Sequence, residues 1–107
     1  MSYQVLFTVT AKQDLREIAL NIADVSQNID IAVNFVNEMQ KKCDQLIDFP
    51  ESGALPNDRV LRSLGYRFLI YKDYLMFYTV DHERETVCIQ AVFNAKRDYT
   101  RVLKKML

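Results

Sequence analysis

The hydrophobic period of this chain changes from helical to alternating at the stretch Phe49-Pro50-Glu51-Ser52-Gly53-Ala54-Leu55-Pro56-Asn57-Asp58, which holds both prolines and one of the two glycines. Before it, apolar residues recur at helical spacing; after it, they alternate. Proline lacks an amide donor and fixes φ, so a helix cannot run through such a stretch. Helices therefore come early and most strands late. That segregation predicts an α+β domain rather than alternating βαβ units.

Ahead of the helices, Tyr3, Val5, Phe7 and Val9 alternate with Gln4, Leu6, Thr8 and Thr10, which reads as a strand. Thr10 with Gln13 fits a capping box for a first helix carrying Leu15, Ile18, Ala19, Ile22 and Ala23. That helix ends at the polar break Val25-Ser26-Gln27-Asn28. A second helix is predicted from Ile29 to Asp48, with Ala32, Phe35, Val36, Met39, Cys43, Leu46 and Ile47 on one face. Asn34, Asn37, Lys41 and Asp44 lie opposite, so the pair forms an antiparallel hairpin. Past the loop, strands are predicted at Val60–Leu64, Tyr66–Tyr71, Tyr74–Val80 and Thr86–Phe93. Gly65 allows a turn or bulge, Lys72-Asp73 makes a tight connection, and Asp81 to Glu85 form a charged turn. Asp98 to Leu107 suit a short terminal helix. The expected order is β-α-α-β-β-β-β: an antiparallel twisted sheet with the helical hairpin packed on one face, in a single domain of 107 residues.

Half the residues are hydrophobic, which argues against disorder, yet no run approaches the roughly 18 apolar residues of a membrane span. The start, Met1-Ser2-Tyr3-Gln4-Val5, lacks the basic and apolar regions of a signal peptide. Cys43 and Cys88 are isolated and read as buried free thiols of a cytosolic protein. With His82 they show no metal-ligand spacing, and Gly53 and Gly65 stand alone, so no metal, cofactor or phosphate loop is expected. His82 itself reads as an exposed turn residue.

The zero net charge hides a split: four basic against eight acidic residues up to Ala54, and ten against six after it. The end of the chain concentrates Lys96, Arg97, Arg101, Lys104 and Lys105 around Asp98 and one aromatic, Tyr99. A cationic cluster of this kind suits nucleic acid or an acidic protein segment. Strand alternation sets Arg67 on a face with Leu69 and Tyr71, and the segment Asn94 to Tyr99 follows the last strand. Arg67, Lys96, Arg97 and Tyr99 are thus expected to converge on one concave patch. Three readings fit: a solvated basic surface, a groove for a partner's acidic segment, or a site for RNA. In RNA cleavage by the 2′-hydroxyl, fixed cations stabilise charge on phosphorus, a lysine of lowered pKa serves as base, and a tyrosine stacks or relays a proton.

The order of these motifs resembles the RelE/ParE superfamily, the toxins of bacterial type II toxin–antitoxin pairs. The resemblance runs through the Phe49-Pro50-Glu51-Ser52-Gly53 turn, the Gly65-Tyr66-Arg67-Phe68-Leu69-Ile70-Tyr71 strand and the ending Val92-Phe93-Asn94-Ala95-Lys96-Arg97-Asp98-Tyr99. It implies a cytoplasmic toxin neutralised by a cognate antitoxin, whose acidic amphipathic segment would meet Arg67, Lys96, Arg97, Arg101, Lys104 and Lys105. RelE-like members cut mRNA on the ribosome. On that reading Arg67 and Arg97 hold phosphate, Lys96 is a base, and Tyr99 stacks or donates. Tyr99 follows the strand at a shorter spacing than the RelE tyrosine, and no glutamate matches His82 to form the Glu/His pair of YoeB-like relatives. ParE-like members inhibit DNA gyrase without known nuclease chemistry. The long hairpin, the Phe-Pro-x-x-Gly turn and Arg97-Asp98 tilt the resemblance towards ParE. A degenerate toxin that only binds its antitoxin is a third alternative.

Overall fold

The first helix starts two residues before the expected capping box, and the sheet explains why. In the computed structural model, which describes residues 2–107, strand β1 (Gln4–Phe7) pairs parallel with β4 (Thr86–Asn94) and leaves it at Thr8. The Thr8 amide donates to the Ile89 carbonyl (3.0 Å) as the last rung. Its hydroxyl then accepts from the Ala11 amide (3.1 Å), capping helix α1 (Val9–Ser26). Gln27, in the left-handed region at φ 57°, ends α1, and the Asn28 side chain caps α2 (Ile29–Lys42) by accepting from Asp30 and Ile31.

The predicted helix to Asp48 breaks after Lys42. The amides of Cys43, Asp44, Leu46 and Ile47 each bond three residues back rather than four, and the short helix α3 (Gln45–Asp48) follows. This tightening brings Met39, Cys43 and Leu46 all into the core. Burial also pushes the Cys43 thiol up to about 12, with Asp44 adding to the shift, so it is no nucleophile.

The strand expected at Val60–Leu64 is instead helix α4 (Arg59–Ser63). Asp58 caps it, its Oδ1 accepting from the Leu61 amide at 3.0 Å, and of the apolar residues there Leu61 alone is buried. Gly65 then turns the chain at φ 87° into β2 (Arg67–Tyr71). With β3 (Tyr74–Asp81) the sheet has four strands in the order β1-β4-β3-β2. It is mixed rather than wholly antiparallel. The helices of the first half form the crossover that lets β1 lie parallel to β4, as parallel pairing requires.

A bulge sets the faces. Phe77 pairs with Ala91 and Tyr78 with Ile89, so Gln90 is the extra residue. Ile89 and Val92 thereby point to one face, with Leu15, Met39, Leu46, Leu69, Met76 and Tyr78, beneath the expected α1–α2 hairpin. Ala91 and Phe93 point to the other, with Leu61, Tyr66, Leu75 and Phe77. That second face is covered by α4 and by the expected terminal helix, α5 (Tyr99–Lys105), through buried Leu103.

Candidate functional site

Arg67 opens β2 opposite Tyr78, and both side chains are tied to one glycine. The Gly53 carbonyl accepts from Arg67 Nη1 (3.0 Å), and the Gly53 amide donates to the Tyr78 hydroxyl (2.9 Å). A Cβ at residue 53 would stand 2.5 Å from that hydroxyl, so the close approach requires glycine. Desolvation pushes the Tyr78 phenol up, and the Gly53 amide and Arg67 partly oppose this. From the end of α4, Arg62 reaches the same place, its Nε donating to the Pro56 carbonyl at 3.1 Å. Arg62 and Arg67 line one cavity of about 270 Å³ with Glu51 and His82.

Sequence reasoning missed Glu51 as the partner of His82. Their Oε1 and Nε2 atoms lie 2.8 Å apart, and the Tyr3 hydroxyl meets Nδ1 of the same ring at 2.7 Å. If Nε2 carries the proton and donates to Glu51, Nδ1 accepts from Tyr3, which satisfies a neutral imidazole on both sides. The one local signal is that the Phe-Pro-x-x-Gly turn carries its glutamate at Glu51.

The basic segment builds a second place. Beyond the end of β1, the outer edge of β4 has no strand beside it among the described residues, and Asp14 of α1 takes over by accepting from the Val92 amide (2.9 Å). Burial raises the Asp14 pKa; the Val92 bond opposes this, Glu17 adds to it, and Arg97 opposes it. Arg97 lines a cavity of about 240 Å³ with Asp14, its guanidinium 5.6 Å from the Phe93 ring centre. Lys96, Arg101 and Lys105 are exposed, and Lys104 Nζ bonds Asp58 Oδ2 at 2.7 Å, tying α5 to the cap of α4.

The four residues expected to converge do not. Arg67 stands opposite Tyr78, whereas Asn94, where the basic segment begins, stands opposite Tyr74, towards the other end of β3. Tyr99 is on the opposite sheet face from Arg67: its ring packs against Phe77 at 5.1 Å, half-buried in the second core. Arg67 and Arg97 therefore belong to separate cavities.

The Lys104–Asp58 pair carries a pH prediction. Lys104 holds the Asp58 carboxyl below its ordinary 3.8, helped by the Leu61 amide. A lowered carboxylate contributes stability above its unfolded pKa and loses it as pH falls through the folded one. Asp58→Asn keeps an oxygen for the Leu61 amide but removes the charge. Urea unfolding is expected to find this variant less stable than the unaltered chain at neutral pH, with the difference vanishing in strong acid.

Comparison with known proteins agrees with this architecture. The sequence profile of the ParE toxin of the type II toxin–antitoxin system parDE matches residues 5–99. The chain belongs to that family and is a toxin of the RelE/ParE class. No curated protein sequence matches it significantly. Among solved structures, the chromosomal ParDE system of P. aeruginosa superposes with a TM-score of 0.70 at 18% identity, covering 87% of this chain and 96% of that one. The RelBE2 toxin–antitoxin complex of Mycobacterium tuberculosis gives 0.60 at 25% identity, over 88% and 92%. A mutant of the E. coli toxin RelE in the free state gives 0.65 at 18% identity, over the whole of both chains. None of the described helices is long and apolar enough to cross a membrane.

Proposed function

We propose that this toxin arrests growth in the cytoplasm by binding DNA gyrase, and that a cognate antitoxin masks it. The observation that carries this reading is the separation of Arg67 from Tyr99, on opposite faces of one sheet. A nuclease of the kind implied by RelE needs phosphate-binding cations and a proton donor within reach of one phosphodiester. Arg67, Arg97 and Tyr99 face three different environments here. The exposed cations of the last segment suit a docking surface instead, where charge steers encounter and fixes register. The match to the ParE profile supports the same reading.

A second reading has one observation in its favour. Arg62, Arg67 and the Glu51–His82 pair share a cavity and combine anion-binding cations with an acid–base pair. On that reading the chain cuts mRNA on the ribosome, without the part foreseen for Tyr99. Two assays on the purified toxin separate the readings. Supercoiling by purified gyrase is expected to be inhibited while mRNA in a reconstituted translation system stays intact. Ribosome-dependent cuts lost in Arg67→Ala, with gyrase unaffected, would overturn the gyrase proposal. Inertness in both assays would mark a degenerate toxin that only binds its antitoxin.

A further inference from the structure

The cavity between α4, the start of β2 and the β3–β4 turn has a charge and a rim that select its occupant. Each guanidinium has five N–H donors, and among the described residues only Arg67 Nη1 and Arg62 Nε are spent on carbonyls, those of Gly53 and Pro56. Among the described residues neither guanidinium forms an ion pair, although Glu51 lines the same cavity. Glu51 is engaged instead by His82 Nε2 at 2.8 Å. Glu51 on the same walls offsets part of the charge of the two guanidiniums, so the cavity is cationic by a small margin. That balance suits one monoanionic group rather than a run of phosphates. The rest of the lining is aliphatic rather than cationic: Leu55, 47% exposed, and Val80 stand beside the two arginines. A nucleic-acid strand would need further cations along its path, whereas aliphatic neighbours suit a peptide that brings apolar side chains beside its acid.

From this geometry we infer that the cavity receives one Asp or Glu side chain of the antitoxin, its carboxylate held by Arg62 and Arg67 beside the Glu51–His82 pair. The inference rests on the reading of the chain as a toxin with an antitoxin partner. It names an anchor apart from the basic C-terminal segment. Arginine presents paired donors in a planar fork that matches a carboxylate, and the cavity partly shields the pair from water. Occupation would also cover the cavity on which the nuclease reading depends.

Calorimetric titration of the toxin with its purified cognate antitoxin tests this. Arg62→Gln and Arg67→Lys are each expected to weaken binding about tenfold or more. Changing the antitoxin's acids to amides one at a time is expected to find one position with a matching loss, and that loss should not add to the loss of Arg62→Gln. The Arg62 side chain is exposed and makes one bond to the fold, to the Pro56 carbonyl, so its variant should melt only a little below the unaltered chain and stay interpretable if Arg67→Lys does not fold. Unchanged affinity in Arg62→Gln, or additive losses for every antitoxin acid, would overturn the anchor while leaving the partnership standing. No binding by the unaltered chain would overturn both. A 5′-phosphorylated oligoribonucleotide whose binding needs Arg62, when the antitoxin's does not, would assign the cavity to RNA instead.

Discussion

Phe77→Ala is expected to destabilise the domain by about 3–5 kcal/mol, as large aromatic truncations in closed cores do. Phe77 is fully buried at the centre of the second sheet face. Its ring meets Phe68 at 5.3 Å, Phe93 at 6.0 Å and Tyr99 at 5.1 Å. Deleting it opens a void among rings held by strands on both sides, where collapse is limited. For a domain of this size the melting temperature should fall by upwards of roughly 12 °C. The loss should be uneven. Helix α5 joins this core through Tyr99, Val102 and buried Leu103, with one ion pair beside them. Hydrogen exchange should therefore show α5 losing protection before β3 and β4 do. Since α5 carries Arg101, Lys104 and Lys105, the proposed docking to gyrase should weaken even at temperatures where the sheet persists. A melting temperature within a degree or two of the unaltered chain would contradict the two-faced core.

What could be read from the sequence follows the range of the signal. The α1–α2 hairpin is legible because Leu15 of α1 and Ala32 and Met39 of α2 sit in helical apolar stripes and are buried, whereas Cys43 and Leu46 carry the stripe past the end of α2 and so hide the break after Lys42. Strands β2 to β4 and helix α5 were equally local. Val60–Leu64 was too short for periodicity to tell a strand from a helical turn, and the deciding feature was Asp58, a cap placed three residues before Leu61. The parallel partner of β1 is visible only through a rung such as the Thr8 amide to the Ile89 carbonyl. The site suffered most, because a site needs register and face together. Strand alternation alone puts Arg67 on the face of Leu69 and Tyr71, where it lies. Nothing local says that the chain after Asn94 turns to the other face and buries Tyr99 against Phe77. The Glu51–His82 pair joins two loops that meet only when the sheet forms, so no spacing rule could reveal it.

Gly53→Ala tests the arginine cavity from beneath. The added methyl would lie 2.5 Å from the Tyr78 hydroxyl, 2.7 Å from Tyr78 Cε1 and 2.9 Å from the Phe68 carbonyl. Tyr78 is fully buried under the α1–α2 hairpin and has no room to swing aside. The Phe68 carbonyl belongs to β2 and already accepts from the Ala54 amide at 2.9 Å. The loop at residue 53 must therefore retreat, and overpacking of this kind costs about 1–3 kcal/mol. Adding Tyr78→Phe removes the closest contact but leaves the Cε1 and carbonyl contacts, and it deprives the Gly53 amide of its acceptor. The double variant should stay well short of the original stability, which thermal melts of the two single variants and the pair will show. The retreat also draws away the carbonyl that holds Arg67 Nη1, so the antitoxin should bind more weakly. Arg62→Gln is expected to lose affinity with only the small stability loss of its bond to the Pro56 carbonyl, whereas Gly53→Ala should lose both substantially. Should Gly53→Ala lose stability but bind antitoxin unchanged, the Gly53 carbonyl would not be what positions Arg67 for its partner, and the anchor would rest on Arg62 alone.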